Sequence, residues 1–101
     1  IKMGKLSRIK SHSKLVKDLP PYILVSGHPT ELVGLNTEGF KKVELNDEVI
    51  GEIKKAYDLL FNSNRELRKK INDMEENLKS FKEINHFIKF LKESTSGICC
   101  I

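Results

Sequence analysis

The chain has 101 residues, of which 39% are hydrophobic and 32% are charged. This length allows one small domain or a piece of a larger protein, and it is too short to enclose a large interior active site. No stretch reaches the roughly 18 apolar residues that a membrane-spanning helix needs. No apolar segment near the start has the form of a secretory signal. We therefore expect a folded chain without a transmembrane segment.

The net charge of +4 is concentrated at the start of the chain. Residues 1–17 hold six basic side chains and no acidic one, so the remainder carries a net negative charge. A basic arm either binds nucleic acid or an anionic surface, or is a solvated terminus, and composition alone favours the terminus. The arm also lacks the aromatic side chains that stack on nucleic-acid bases.

The first predicted element is a short strand over residues 23–25, Ile-Leu-Val. Pro20 and Pro21 keep the preceding segment extended, and a turn is predicted at residues 26–29. A single strand is not stable alone, and the sequence offers no convincing partner for this one. We therefore expect that part of the protein lies upstream, an expectation that also fits a chain beginning at Ile1.

Three helices are predicted over residues 47–61, 65–78 and 81–95, because apolar residues recur there at helical spacing. The short loops predict roughly antiparallel neighbours. The middle helix is otherwise polar, Lys69 and Lys70 included, and this surface is predicted to be solvated. The residues predicted to cap the three helices are Asn46, the capping-box pairs Ser63–Glu66 and Ser80–Glu83, and Gly97.

No motif in the sequence carries a self-contained active site. His12, His28 and His86 have no Cys, Asp or Glu at the spacing of metal ligands, and His86 is expected to have a surface or boundary role. Nucleophile-elbow, phosphate-loop and dinucleotide motifs are absent. We therefore predict no catalytic residue, no metal and no cofactor. The adjacent Cys99 and Cys100 are poorly placed to join each other, so a reducing cytoplasm is the simplest setting.

Residues 34–42 gather an amide, a carboxylate, two lysines and two glycines ahead of the helices. The Asn36 amide and the Glu38 carboxylate can recognise a sugar hydroxyl or a base edge, and the Lys42 ammonium can pair with phosphate. An ordinary polar linker has the same composition. The residues alone leave both interpretations open, with the linker favoured.

The order of the motifs resembles one family. Its marks are the string Lys-Asp-Leu-Pro-Pro-Tyr at 17–22, Ser-Gly-His-Pro at 26–29, the polar segment 34–42, Ala-Tyr-Asp-Leu-Leu-Phe-Asn-Ser at 56–63, and Ser-Thr-Ser-Gly-Ile at 94–98. Together they look like the C-terminal end of the acyl-ACP:UDP-N-acetylglucosamine O-acyltransferases, the first enzymes of lipid A biosynthesis. The similarity runs from about residue 17 to residue 98.

The resemblance implies a homotrimer that transfers a 3-hydroxyacyl chain from acyl carrier protein to the sugar 3-hydroxyl. Its general-base histidine lies in a left-handed parallel β-helix upstream, so this chain alone is predicted to be inactive. The implied fold class is mainly α: a small three-helix C-terminal domain preceded by a short extended segment that corresponds to the last turn of the β-helix. The implied divisions are a basic segment (1–17), the end of the β-helix and a linker (18–34), the helical domain (35–98) and a tail (99–101).

The same resemblance assigns nucleotide-sugar contacts to Asn36, Glu38 and Lys42. Lys42 stands where the family usually has Arg, so the charge is kept and the bidentate fork is lost. Acyl carrier protein is acidic, so basic side chains near and on the helices are candidate contacts for it. These candidates are Lys41, Lys42, Lys54, Lys55, Arg65, Arg68, Lys69 and Lys70.

A non-enzymatic helical module, whose basic arm binds nucleic acid or an anionic surface, is the alternative function. A truncated product that folds poorly is a third. The basic excess lies where the family resemblance fades, and we therefore expect no nucleic-acid partner.

Overall fold

The computed structural model describes residues 3–10, 17–27, 31–95 and 97–99. Its elements are β1 (Arg8–Lys10), β2 (Ile23–Ser26), β3 (Glu31–Leu35), α1 (Thr37–Lys42), α2 (Asp47–Phe61), α3 (Leu67–Asn77) and α4 (Lys82–Glu93). The predicted helical character is confirmed, with four helices where three were predicted and with a three-stranded sheet beside them. Across these described ranges, no helix combines the length and apolar character that crossing a bilayer requires.

The three strands form one sheet in the order β1-β2-β3. β1 runs parallel to β2, with Ile9 opposite Val25, and β3 runs antiparallel to β2 on its other side. The expectation that the strand at residues 23–25 has no partner is therefore wrong. Its partners are short and lack a clear alternating pattern, so their conformation depends on pairing that the local sequence does not reveal.

Segments from both ends of the chain lie beside the segment that leads into β2. Met3 pairs with Leu19 and Ile98 pairs with Asp18, both in parallel bridges. The main-chain N–H of Gly4 donates to the Leu19 carbonyl at 2.8 Å. The start and the end of the described chain are thus joined to the same stretch.

The three longer helices pack against one another. Their shared core includes Ile53, Ala56 and Leu60 from α2, Ile71 and Met74 from α3, and Ile84, Phe87 and Leu91 from α4. α2 has the predicted bounds, whereas α3 begins two residues later than predicted and α4 ends two residues earlier. These three predicted helices are present because each one buries the stripe of apolar residues that recurs at helical spacing in its sequence.

Tyr22 joins the sheet to this helical core. Its ring stacks on Phe87 at a centroid distance of 6.4 Å, and it meets the edge of Phe40 at 6.0 Å. Its main-chain N–H donates to the Lys5 carbonyl, and its carbonyl accepts from the Asn36 N–H, both at 2.9 Å. The φ of +68° costs a residue with a side chain about 1–3 kcal/mol. Burial of the ring and the two hydrogen bonds offset that cost.

Of the four predicted caps, one is confirmed and three are wrong. The Asn46 side chain accepts from the Glu48 N–H at 2.7 Å and caps α2. The N-caps of α3 and α4 are Glu66 and Phe81, and neither makes a side-chain capping bond. The capping-box spacing is met in the sequence, but each helix begins later than the pattern predicts.

The serines of the two predicted boxes have other partners. Ser63 Oγ accepts from the Arg65 N–H at 3.3 Å, and Ser80 Oγ donates to Asn85 Oδ1 at 3.2 Å. Gly97 has the left-handed φ of +83° that a cap needs, yet α4 already ends at the cap residue Ser94. The Gly97 carbonyl instead accepts from the Asp18 N–H.

Candidate functional site

A hollow of about 160 Å³ lies between β1 and the start of α1. We call it the β1–α1 hollow, and its lining residues are Arg8, Lys10, Leu24, Asn36, Thr37 and Glu38. Pockets that enclose a whole small ligand measure about 300–1,000 Å³. This hollow therefore has room for one part of a ligand, such as a phosphate group or a single ring.

Asn36 is buried and holds two parts of the fold together. Its Oδ1 accepts from the Gly39 N–H at 3.2 Å and caps α1, which spans only six residues. Its Nδ2 donates to the Leu6 carbonyl at 2.8 Å. Both ends of the amide therefore serve the structure, a role that the sequence analysis missed. Contact of Asn36 with a ligand stays a prediction.

Glu38 lies at the rim of the hollow and is mostly exposed. Its Oε2 accepts from Arg8 Nη1 at 3.0 Å, and the two side chains are 74% and 54% exposed. Ion pairs this exposed contribute about 0–1 kcal/mol. The pair therefore joins β1 to α1 without holding either side chain firmly.

Lys42 is exposed in the last turn of α1, and it is not among the residues that line the hollow. The structure thus places two of the three predicted site residues in the lining of the hollow and the third one helical turn beyond Glu38. It adds Arg8 and Lys10, which the sequence analysis missed. The signal that could have found them is the cluster of basic residues at 1–17.

A separate groove of about 380 Å³ runs between α3 and α4. Apolar side chains, among them Met74, Leu78 and Ile84, share its lining with three lysines, Lys79, Lys89 and Lys92. None of these lysines is among the predicted carrier contacts. Conversely, Lys70, which is one of the predicted carrier contacts, is buried, and its Nζ donates to the Leu60 carbonyl at 2.6 Å. Its ammonium therefore does not face a protein that docks on the surface.

His86 is a half-buried residue of α4 that faces the first segment of the chain, as expected of a boundary residue. Its Nε2 accepts from the Lys5 N–H at 3.4 Å, and its ring meets Tyr22 edge-on. Burial lowers the pKa of His86, and the charges of Lys5 and Lys89 lower it further. His12 and His28 lie outside the described residues. Within the described ranges, no group of three metal-ligating side chains comes together.

The model of a known family, described as UDP N-acetylglucosamine O-acyltransferase, domain 2, matches residues 18–99. The chain belongs to this family. An acyl-[acyl-carrier-protein]–UDP-N-acetylglucosamine O-acyltransferase from Anaeromyxobacter sp. (strain Fw109-5) is 35% identical over 97 residues, which are 96% of this chain and 38% of that protein. The enzyme of the same name from Myxococcus xanthus is 32% identical over the same shares.

Solved structures from the UDP-N-acetylglucosamine acyltransferase family share the fold. The enzyme from Bacteroides fragilis superposes with a TM-score of 0.90 at 26% identity, over 95% of this chain and 38% of its own. The enzyme from Francisella novicida does so with a TM-score of 0.87 at 28% identity, over 95% and 36%. The chain spans about two fifths of the length of the relatives that it matches.

Proposed function

We propose that this chain is the C-terminal part of an acyltransferase of lipid A biosynthesis. The enzyme transfers a 3-hydroxyacyl chain from acyl carrier protein to the 3-hydroxyl of UDP-N-acetylglucosamine. The relatives carry both substrates in their names, and the match covers nearly the whole chain. In this proposal the extended part of the chain completes a left-handed parallel β-helix, and the general-base histidine lies on that β-helix outside this chain.

The β1–α1 hollow is the observation that carries the proposed role of this part. It combines a carboxylate, an amide and two cations, which are the groups that bind sugar hydroxyls, a base edge and phosphate. Asn36 and Glu38, two of the three residues assigned to the nucleotide sugar, lie on its wall. We propose that Lys42 contacts the same ligand from the end of α1, beyond the hollow.

Acyl carrier protein is the proposed macromolecular partner. It is acidic, and the helices expose basic side chains, including Lys54, Arg68 and Lys69. Complementary charges mainly raise the rate of association, and this effect weakens as the salt concentration rises. The proposal includes a homotrimer and a cytoplasmic setting, and the adjacent cysteines suit a reducing compartment.

The test compares the complete gene product with the 101-residue chain. Each is purified and assayed for transfer of a 3-hydroxyacyl group from acyl carrier protein to UDP-N-acetylglucosamine. We expect turnover by the complete product and none by the chain alone. Analytical ultracentrifugation of the complete product should give the mass of a trimer. Turnover by the chain alone would show that the catalytic base has been misplaced, and inactivity of the complete product would contradict the proposed reaction.

The alternative function is a helical module whose basic arm binds nucleic acid or an anionic surface. Titration with DNA and RNA at two salt concentrations separates it from the transferase. Tight binding with a steep salt dependence would favour the module. We expect no binding, because residues 1–17 contain no aromatic side chain that could stack on nucleic-acid bases.

A further inference from the structure

The cations of β1 lie on one face of the strand. Successive side chains of a strand point to opposite sides, and Arg8 and Lys10 both line the β1–α1 hollow. Ile9, between them, packs on the other side against the cluster that contains Ile23 and Val25. Burial of Ile9 therefore fixes the direction of both basic side chains toward the hollow.

Arg8 is well suited to bind an anionic group in this position. Its planar guanidinium presents five N–H donors in a fork that matches two phosphate oxygens. In the structure, Arg8 Nη1 donates a hydrogen bond to Glu38 Oε2. Both partners of that bond are more than half exposed, so little free energy is lost when the guanidinium turns toward a ligand.

The other cation assigned to phosphate stands apart from the hollow. Lys42 lies one helical turn after Glu38 on the same face of α1, but it is not among the residues that line the hollow. The Lys42 ammonium is also a point charge without the planar fork of an arginine. The cations that line the hollow together with Asn36 and Glu38 are therefore those of β1.

We propose that Arg8, with Lys10, binds the diphosphate of the nucleotide sugar in the β1–α1 hollow. In the absence of the ligand, the Arg8 guanidinium pairs with the exposed Glu38 carboxylate. The proposal rests on the proposed function, and it gives the basic N-terminal segment a role in substrate binding. Arg8 then supplies a bidentate fork that a lysine does not have.

Calorimetric titration of the complete gene product with UDP tests this proposal. Loss of a charge-assisted hydrogen bond in Arg8→Gln should raise the Kd for UDP about tenfold. Arg8→Lys should give an intermediate Kd, because it keeps the charge without the fork. Lys82→Gln removes one charge from an exposed position on α4, away from the hollow, and should leave the Kd unchanged.

Two further readouts separate ligand binding from a structural role. The dependence of log Kd on salt should be shallower in Arg8→Gln, because one cation no longer meets the phosphates. In the transfer assay, the KM for UDP-N-acetylglucosamine should rise while the KM for acyl carrier protein stays the same. A change in both KM values would indicate damage to the fold and would overturn the proposal.

The UDP titration distinguishes failure of the proposed function from failure of the inference about Arg8. If the wild-type protein does not bind UDP, the proposed function and this inference both fail. If the wild-type protein binds UDP and Arg8→Gln binds it equally well, only the inference fails, and the diphosphate must contact other residues.

Discussion

The Lys70 ammonium donates a hydrogen bond to the Leu60 carbonyl across the α2–α3 connection, at 2.6 Å. Leu60 lies in the last turn of α2, where carbonyl groups have no partner within their own helix. A lysine of α3 therefore completes the end of α2. The bond explains why a charged side chain is only 7% exposed.

Replacement of Lys70 should destabilise the helical domain. Lys70→Met keeps most of the apolar contact of the side chain and removes the donor, so the buried Leu60 carbonyl is left without this bond. We expect the free energy of unfolding to fall by about 1–3 kcal/mol, measured by denaturant titration followed by circular dichroism. Lys69→Met alters the adjacent exposed residue and should change it by less than about 0.5 kcal/mol. Equal effects of the two variants would contradict the capping role.

Two glycine substitutions should have opposite effects. A Cβ at Gly4 would stand 2.3 Å from the main-chain nitrogen of Pro21, and this backbone cannot yield easily. Gly4→Ala should therefore destabilise the protein by about 1–3 kcal/mol. Gly51 lies inside α2 with open space around the added carbon, so Gly51→Ala should stabilise it by about 1 kcal/mol. Thermal unfolding of both variants gives the comparison, and a stabilised Gly4→Ala would refute the close approach.

Substitutions at Asn36 and Glu38 should differ in their effect on stability, because Asn36 has a structural role and Glu38 lies at the exposed rim of the hollow. Asn36→Asp replaces the Nδ2 donor with an oxygen that faces the Leu6 carbonyl, and the buried repulsion should cost about 1–3 kcal/mol of stability. Glu38→Gln breaks an exposed ion pair and should cost less than about 1 kcal/mol. Chemical denaturation measures both. If Asn36→Asp is as stable as the wild type, then the amide does not hold the segment before β1 to the start of α1.

The environment of His86 predicts a dependence of stability on pH. Its pKa is lowered in the folded protein, chiefly by burial and also by Lys5 and Lys89, so the folded state binds the proton less readily than the unfolded state. The contribution of His86 is therefore fully present above the unfolded pKa of about 6.5. It is lost as the pH falls through the lower folded pKa.

The measurement compares the free energy of unfolding near neutral pH and at mildly acidic pH. His86→Gln keeps a polar side chain that does not titrate, so the difference between wild type and variant isolates this histidine from His12 and His28. The wild type should lose more stability on acidification than the variant does. Equal losses would show that protonation of His86 is not coupled to folding.

Asp18 should hold the C-terminal segment in place. Its carboxylate accepts from Ser94 Oγ at 2.6 Å, and its main chain bonds to Gly97 and Cys99, each at 2.8 Å. Asp18→Ala should lower the free energy of unfolding by about 1–3 kcal/mol, because a buried acceptor of a hydrogen bond is removed. Amide hydrogen exchange should quicken at Cys99. Asp58→Asn changes an exposed carboxylate and should alter neither value, whereas unchanged exchange in Asp18→Ala would contradict the anchoring role.

Local patterns predicted the helices well where the deciding interactions are local. The bounds of α2 and its Asn46 cap could be predicted, because a helix bonds within itself and its cap lies beside it. α1 could not be predicted from periodicity, since it has six residues. It depends on an Asn36 cap that is itself held by Leu6, thirty residues earlier. The burial of Lys70 likewise cannot be predicted from local pattern, because its partner Leu60 belongs to another helix.

The sequence by itself determined the helical character, the family resemblance and the residues Asn36 and Glu38 as candidates. Only the tertiary structure decided that β1 and β3 flank β2, and that Arg8 and Lys10 lie beside those candidates. The physical reason is the range of the interactions. Helical hydrogen bonds join residues four apart, whereas a strand of three residues owes its conformation to a partner distant in the chain. Two residues of the basic segment that first suggested a separate arm, Arg8 and Lys10, line the β1–α1 hollow.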